Sequence, residues 1–316
     1  MLQKIVILGT GGTIAGLAPD PSRPCEYAAA QLKLDALMGN LPRAGDTMDW
    51  VTEQVAQIDS KDMSAAVWRR LLARVAHHLQ DPQVSGLVIT HGTDTLEETA
   101  FLLAAVLPQE KPVILTGAMR PANVPDADGP SNLADAMAAA MTLPAGVWVV
   151  FAGHVHPAWQ VQKVHASALN PYVSGRDEPM GTVHRGDLQG YFVPSRPEGE
   201  WPELALVLSA DWPRVELLTS HAGATDWWLD AFLHPTHGVG ALRGLVIAGT
   251  GNGTWNAAWD DALKQLRHAG VEIWLSTRCI ASGLTPEFQG TPWRRVPWSP
   301  AQARIGLMLS LITSGR

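Results

Sequence analysis

Short apolar runs alternate along the chain with glycine- or proline-bearing loops and with segments whose apolar residues recur every three or four positions. The runs KIVIL (4–8), GLVIT (86–90), KPVILT (111–116) and GVWVVFA (146–152) read as parallel strands. A strand covered on both faces is apolar throughout rather than alternating. Helical patterns lie between them. In SAAVWRRLLARVAHHLQ (64–80), Ser64 can cap the N-terminus, and Val67, Leu71, Leu72, Val75 and Leu79 share one face. TLEETAFLLAAVL (95–107) and SNLADAMAAAM (131–141) have the same character. Strands alternating with helices predict an α/β fold whose larger N-terminal domain is a doubly wound, mostly parallel sheet.

The alternation stops at QGYFVPSRPEGEWPEL (189–204), which has three prolines and no period. The pattern therefore predicts a catalytic-size domain over 1–188, a linker over 189–203 and a smaller α/β domain over 204–316. In the latter, LALVLS (204–209), GLVIAG (244–249) and VEIWLS (271–276) read as strands. TWNAAWDDALKQLRHAG (254–270) reads as an amphipathic helix closed by Gly270. The last helix, SPAQARIGLMLSLI (299–312), has Ser299 as cap and Pro300 in its first turn.

Composition narrows the class. The chain has 316 residues, 46% of them apolar, and a net charge of −7, which argues against nucleic acid as a partner. It has two cysteines, Cys25 and Cys279, so no disulfide framework is implied. The N-terminus enters a strand directly, and no run reaches the ~20 apolar residues of a membrane span. A cytoplasmic protein that touches neither membrane nor nucleic acid is expected.

The loop after the first strand, ILGTGGTIAG (7–16), is the first candidate for chemistry. A dinucleotide fingerprint needs a third glycine where Ile14 stands, and a P-loop needs a lysine that is missing here. LAPDPSRP follows Gly16, and its three prolines delay any helix whose N-terminus could hold phosphate. The glycines alone could serve a tight turn, but Thr10 and Thr13 then stand where backbone approaches a ligand closely. THGTDTLEET (90–99) follows a second strand. If strands 4–8 and 86–90 are parallel neighbours, Thr10, Thr13, Thr93 and Asp94 meet beyond their carboxyl ends, where open sheets bind ligands. Three hydroxyls and a carboxylate without a phosphate cradle suit nucleophilic attack on a small polar substrate. A threonine hydroxyl needs a base, and a lysine oriented by Asp94 would serve. Such a lysine must be neutral, which desolvation favours and a neighbouring carboxylate opposes.

TGGTIAG (10–16), IDSKDM (58–63), GLVITHGTDTLEETA (86–100), VILTGAMRP (113–121), DGPSNL (128–133) and GTGNGT (249–254) occur in that order. Together they resemble the signatures of the bacterial-type L-asparaginase/glutaminase family, strongly to about residue 150 and more thinly afterwards. The resemblance implies hydrolysis of a side-chain amide by a threonine amidohydrolase that uses no metal or cofactor. It implies Thr13 as nucleophile, activated by Tyr27, and Thr93, Asp94 and Lys163 as a second catalytic group. Ser60 and Asp94 would hold the substrate's α-carboxylate and α-ammonium. Backbone at Thr93 and Ala118 would line the amide. Lys61 stands where the family commonly has glutamine, Thr254 where many members have asparagine, and Glu287 matches the position of a carboxylate often supplied across a subunit interface. A homodimer or homotetramer is implied too. The function expected is L-asparaginase; the alternatives are a glutaminase-leaning amidohydrolase and a non-catalytic aspartate- or asparagine-binding sensor. Among the remaining polar residues, His91 is expected to bond to backbone. His154 and His156 are expected on a polar strand edge rather than at a metal, and the tryptophans, Trp227 and Trp228 included, in core or interface.

Overall fold

The computed structural model describes residues 4–39, 49–174, 181–184, 187–190, 201–233, 241–279, 284 and 291–315. The chain divides into two compact units, Met1–Pro197 and Glu198–Arg316. The expected linker, 189–203, lies largely outside the described residues, over 191–200.

The first unit carries strands β1 (Lys4–Gly11), β2 (Asp49–Ile58), β3 (Val84–Thr90), β4 (Pro112–Thr116), β5 (Gly146–Phe151) and β6 (His154–Pro157), then β7 (Val161–Lys163), β8 (Tyr172–Ser174), β9 (Gly181–His184) and β10 (Asp187–Gln189). Its helices are α1 (Leu34–Met38), α2 (Ala65–Leu79), α3 (Leu96–Val106) and α4 (Gly129–Thr142). Eight strands form one sheet in the order β10-β9-β6-β5-β4-β3-β1-β2. From β2 to β5 every pairing is parallel; from β5 to β10 every pairing is antiparallel. Ile5, Ile7, Val88, Ile114, Trp148 and Val150 pack on one face with Leu133, Ala136, Met137 and Ala140 of α4. Alternation turns Val6, Leu8, Leu87, Ile89 and Leu115 to the other face, where α2 and α3 lie against the sheet. Helix α2 is capped at Ser64, whose Oγ accepts from Val67 N–H.

Strand β2 carries no apolar run and is missing from the expected strands. It is the sheet's edge and half exposed, so its residues DWVTEQVAQI need not be apolar. Parallel pairing with β1 holds it, and so does Glu53, which accepts from Arg74 and bonds His78 of α2.

The second unit has strands β11 (Val215–Thr219), β12 (Gly244–Gly249), β13 (Glu272–Thr277) and β14 (Arg294–Arg295), parallel in that order. Its helices are α5 (Leu204–Ser209), α6 (Trp227–Leu233), α7 (Asp260–His268) and α8 (Pro300–Ser314). The chain is therefore an α/β protein with a larger, mostly parallel sheet and a smaller parallel one. Two expectations fail here. LALVLS (204–209) is a helix, α5, not a strand, with Val207 its one buried residue. A short apolar run has no period that tells the two apart. The helix expected over 254–270 starts only at Asp260. Thr254 is held in a tight turn with Thr250, and Asn256 caps a 3-10 turn over Ala257–Trp259. Helix α8 begins as expected, with a full capping box between Ser299 and Gln302. No helix among the described residues is long and apolar enough to cross a membrane. Trp227 and Trp228 stack edge to face on the surface, 61% and 57% exposed, so neither belongs to the core.

Candidate active site

Strands β1, β3 and β4 run parallel and side by side, so the loops after them emerge at one carboxyl edge. Glycines press these loops together. A Cβ on Gly12 would lie 2.3 Å from Gly92 Cα, one on Gly92 2.6 Å from Ser60 Oγ, and one on Gly117 2.4 Å from the His91 carbonyl. Backbone therefore meets backbone at Gly12 and Gly117, and the Ser60 side chain at Gly92, where any other residue would hold the loops apart. After Gly12 the chain makes only a 3-10 turn, Thr13–Ala15, so the loop does not itself run into an α-helix as a phosphate-binding turn would.

Thr13 is buried, and its Oγ1 shares a 2.8 Å hydrogen bond with Tyr27 Oη. Tyr27 reaches it because Leu17 and Ala28 exchange two backbone hydrogen bonds of 3.0 Å and close the intervening loop. Thr10 is turned away from this pair: its hydroxyl donates to the Thr90 carbonyl at 2.8 Å.

The β3–α3 loop carries the second cluster. Lys163 Nζ donates to Thr93 Oγ1 at 2.8 Å and to Asp94 Oδ1 at 2.6 Å. Asp94 precedes the N-terminus of α3, whose dipole favours a carboxylate. Ser60 is buried; its Oγ accepts from Asp94 N–H at 3.2 Å, and its carbonyl accepts from Thr95 Oγ1 at 2.8 Å. Ala118, fully buried, sits in the loop after β4. Asp128 accepts from Met119 N–H and Arg120 N–H, and Asn132 Nδ2 donates to the Gly117 carbonyl, so DGPSNL shapes that loop. Thr13 and Tyr27 thus form one pair; Ser60, Thr93, Asp94 and Lys163 form one network; and Gly12 on Gly92 brings the two loops into contact.

One expected site residue of the first unit, Lys61, is not brought in. Lys61 is turned to its own carboxylate neighbours, 2.6 Å from Asp59 and 3.5 Å from Asp62, with its side chain 63% exposed. Thr254 belongs to the second unit and bonds the Thr250 hydroxyl at 2.8 Å. Glu287 lies outside the described residues.

Other residues in this region escape sequence reasoning. Glu97, buried in the first turn of α3, accepts from Lys163 N–H at 2.5 Å, and Tyr172 Oη donates to the Thr93 carbonyl at 2.7 Å. Glu97 lies inside a recognisable motif but looks like an ordinary helix-start acid; Tyr172 lies in none. His91 bonds backbone as expected: Nδ1 meets the Gly92 carbonyl at 2.7 Å and so carries the proton. Nε2 then accepts from Thr99 Oγ1, which accepts from Trp68 Nε1. His156 contradicts the expected polar edge. Strand β6 lies inside the sheet, between β5 and β9, and the His156 ring is buried against Ser174 Oγ at 2.6 Å. Among the described residues no cluster of three or more His, Cys, Asp or Glu could hold a metal.

Both buried histidines have an acid consequence. Burial pushes the pKa of His91 down to about 4 and that of His156 down to about 3. An unfolded histidine titrates near ~6.5, so unfolding takes up protons below that pH. The stability they confer is whole above about pH 6.5 and drains as pH falls toward the folded values. Each should cost about 2 kcal/mol by about pH 5. Urea midpoints measured at about pH 7.5 and 5 should therefore differ clearly, and less so in His156→Gln. An unchanged midpoint in the wild type would contradict this.

Fold and site together define an α/β protein with a doubly wound sheet and a cluster of hydroxyls at its carboxyl edge. The family profile "Asparaginase, N-terminal" matches residues 4–195, and "Glutaminase/Asparaginase C-terminal domain" matches 214–314. The chain is 32% identical over 319 aligned residues to the glutaminase-asparaginase of Pseudomonas fluorescens biotype A, covering 98% of this chain and 86% of that one. It is 33% identical to the "Probable L-asparaginase periplasmic" of Haemophilus influenzae, covering 98% and 89%. The crystal structure described as "Probable Cytoplasmic L-asparaginase from Campylobacter jejuni" superposes with a TM-score of 0.88 at 32% identity, covering 98% and 95%. The chain belongs to the asparaginase/glutaminase family of amidohydrolases.

Proposed function

We propose that the protein is an L-asparaginase, hydrolysing L-asparagine to L-aspartate and ammonia through an acyl ester on Thr13. The observation that carries this reading is the pairing of two buried threonine hydroxyls with proton-handling partners, Tyr27 on Thr13 and Lys163 on Thr93. Thr13 Oγ1 attacks the amide carbon as its proton moves to Tyr27 Oη, which hands its own proton on towards the departing amide nitrogen. The amide nitrogen takes up a proton and leaves as ammonia. Water activated on the Thr93–Lys163 side then cleaves the ester, releasing aspartate and restoring Thr13. Backbone N–H at Thr93 and backbone at Ala118 receive the developing oxyanion and the amide. Ser60 accepts from Asp94 N–H, which leaves its own proton for the substrate's α-carboxylate, and the half-exposed Asp94 carboxylate takes the α-ammonium. In this reading no cofactor takes part.

The names of the Haemophilus and Campylobacter proteins support asparagine as the preferred amide; that of the Pseudomonas relative supports glutamine as a second substrate. A cytoplasmic homodimer or homotetramer is part of the proposal. The Campylobacter structure's description supports the compartment, the Haemophilus name points the other way, and the family resemblance supports the assembly.

The deciding experiment is ammonia release by the purified, folded chain. Release from L-asparagine is expected to be faster than from L-glutamine. The reverse ratio would favour the glutaminase-leaning alternative. Silence toward both, with a melting temperature raised by asparagine or aspartate, would replace the enzyme with a sensor.

A further inference from the structure

Lys163 and Tyr172 are opposite each other in the antiparallel hairpin β7–β8, and both reach Thr93. Lys163 Nζ donates to the Thr93 hydroxyl, while Tyr172 Oη donates to the Thr93 carbonyl at 2.7 Å. That carbonyl belongs to the peptide unit whose N–H, on Asp94, donates to Ser60 Oγ. The Thr93–Asp94 peptide plane is thus gripped at both ends, by a phenol on one side and a serine on the other. Glu97, one turn along, ties the hairpin to the same loop by accepting from Lys163 N–H.

We propose that Tyr172 is a positioning residue for amide hydrolysis, locking the Thr93–Asp94 peptide so that the Thr93 hydroxyl and the Asp94 carboxylate stay aligned on Lys163. The proposal rests on the reading of Thr93, Asp94 and Lys163 as the second catalytic group. Rotation of this peptide would swing both side chains at once, and misplacement of reacting groups by ~1 Å can cost roughly 10²-fold in rate. The phenol suits the task. Tyr172 is 2% exposed, and its ring meets Phe151 edge to face at 5.2 Å. Burial first, then the charges of Glu97 and Asp94, push its pKa well above the ordinary phenol value. It therefore remains a hydrogen-bond donor at every working pH, unlike a residue that exchanges protons with substrate.

The test is Tyr172→Phe, which keeps the ring against Phe151 and deletes only the hydroxyl. With assays run well below the melting temperature, kcat for L-asparagine should fall about tenfold, as expected for a lost buried hydrogen bond expressed in the transition state. KM should stay within about twofold, and the pH profile of kcat should keep its shape. Wild-type kcat in the variant, or a loss confined to KM, would overturn the proposal. So would disappearance of one limb of the pH profile, since that would make the phenol an acid–base group. A wild type inactive toward both amides would instead refute the reading of the site itself. Should Tyr172→Phe prove unstable, Tyr172→4-aminophenylalanine, whose N–H donates from the place of the hydroxyl, should turn over faster than Tyr172→4-methylphenylalanine, which has the same shape and no donor; equal rates would count against the proposal.

Discussion

Thr13→Ala is expected to fold and to release ammonia from L-asparagine roughly three to four orders of magnitude more slowly than the wild type. Loss of a covalent nucleophile removes the acyl route altogether and leaves only what binding and polarisation of the amide contribute. The stability cost should be small by comparison. The hydroxyl makes one hydrogen bond, to Tyr27, worth about 1 kcal/mol, and Tyr27 is itself 38% exposed and can bond water instead. A melting-temperature change of a few degrees is expected. Alanine in place of Thr10 makes the contrast, because that hydroxyl is committed to the Thr90 carbonyl. Turnover near the wild-type rate in Thr13→Ala would move the nucleophile elsewhere, with Thr93 the next residue to test.

Gly12→Ala should do the opposite: damage the fold and, through it, the site. Gly12 has φ +82° and ψ −170°, a region essentially reserved for glycine, at a cost of about 1–3 kcal/mol for any other residue. The added Cβ would also stand 2.3 Å from Gly92 Cα and 2.4 Å from Gly92 N, both backbone atoms that cannot rotate aside. Relief requires parting the β1 loop from the β3 loop, which separates Thr13 from Thr93. A loss of at least about 3 kcal/mol is expected, about 10 °C in melting temperature for a domain of this size, together with nearly all activity. Thermal unfolding and ammonia release on the same preparation check it. A variant as stable as the wild type would mean that the loops do not press together here.

The two predictions separate what these loops do chemically from what holds them, and that division follows what could be read along the chain. Strands β1, β3, β4 and β5 were legible because all are buried on both faces and therefore apolar throughout. Strand β2 was not, because an edge strand need not be apolar. LALVLS misled because six residues are too few to display a period. Thr13, Thr93 and Asp94 were legible because each stands in a glycine-bearing loop after an apolar strand; Ser60 was not, because it follows the edge strand β2, and it came only from resemblance. Lys163 rested on resemblance. Tyr172 could not be found, since its role depends on a cross-strand partner and on a carbonyl 79 positions away.

By itself, then, the sequence determined the α/β class, the loops that carry chemistry and the family, because burial periodicity and glycine-flanked threonines are local properties. Only the tertiary structure decided which of those residues meet. It turned Thr10 and Lys61 away from the paired hydroxyls, buried His156 inside a sheet, and gripped one peptide between Tyr172 and Ser60. Such pairings arise from strand order and from backbone-to-backbone contact at Gly12 and Gly92, and these exist only once distant segments have packed.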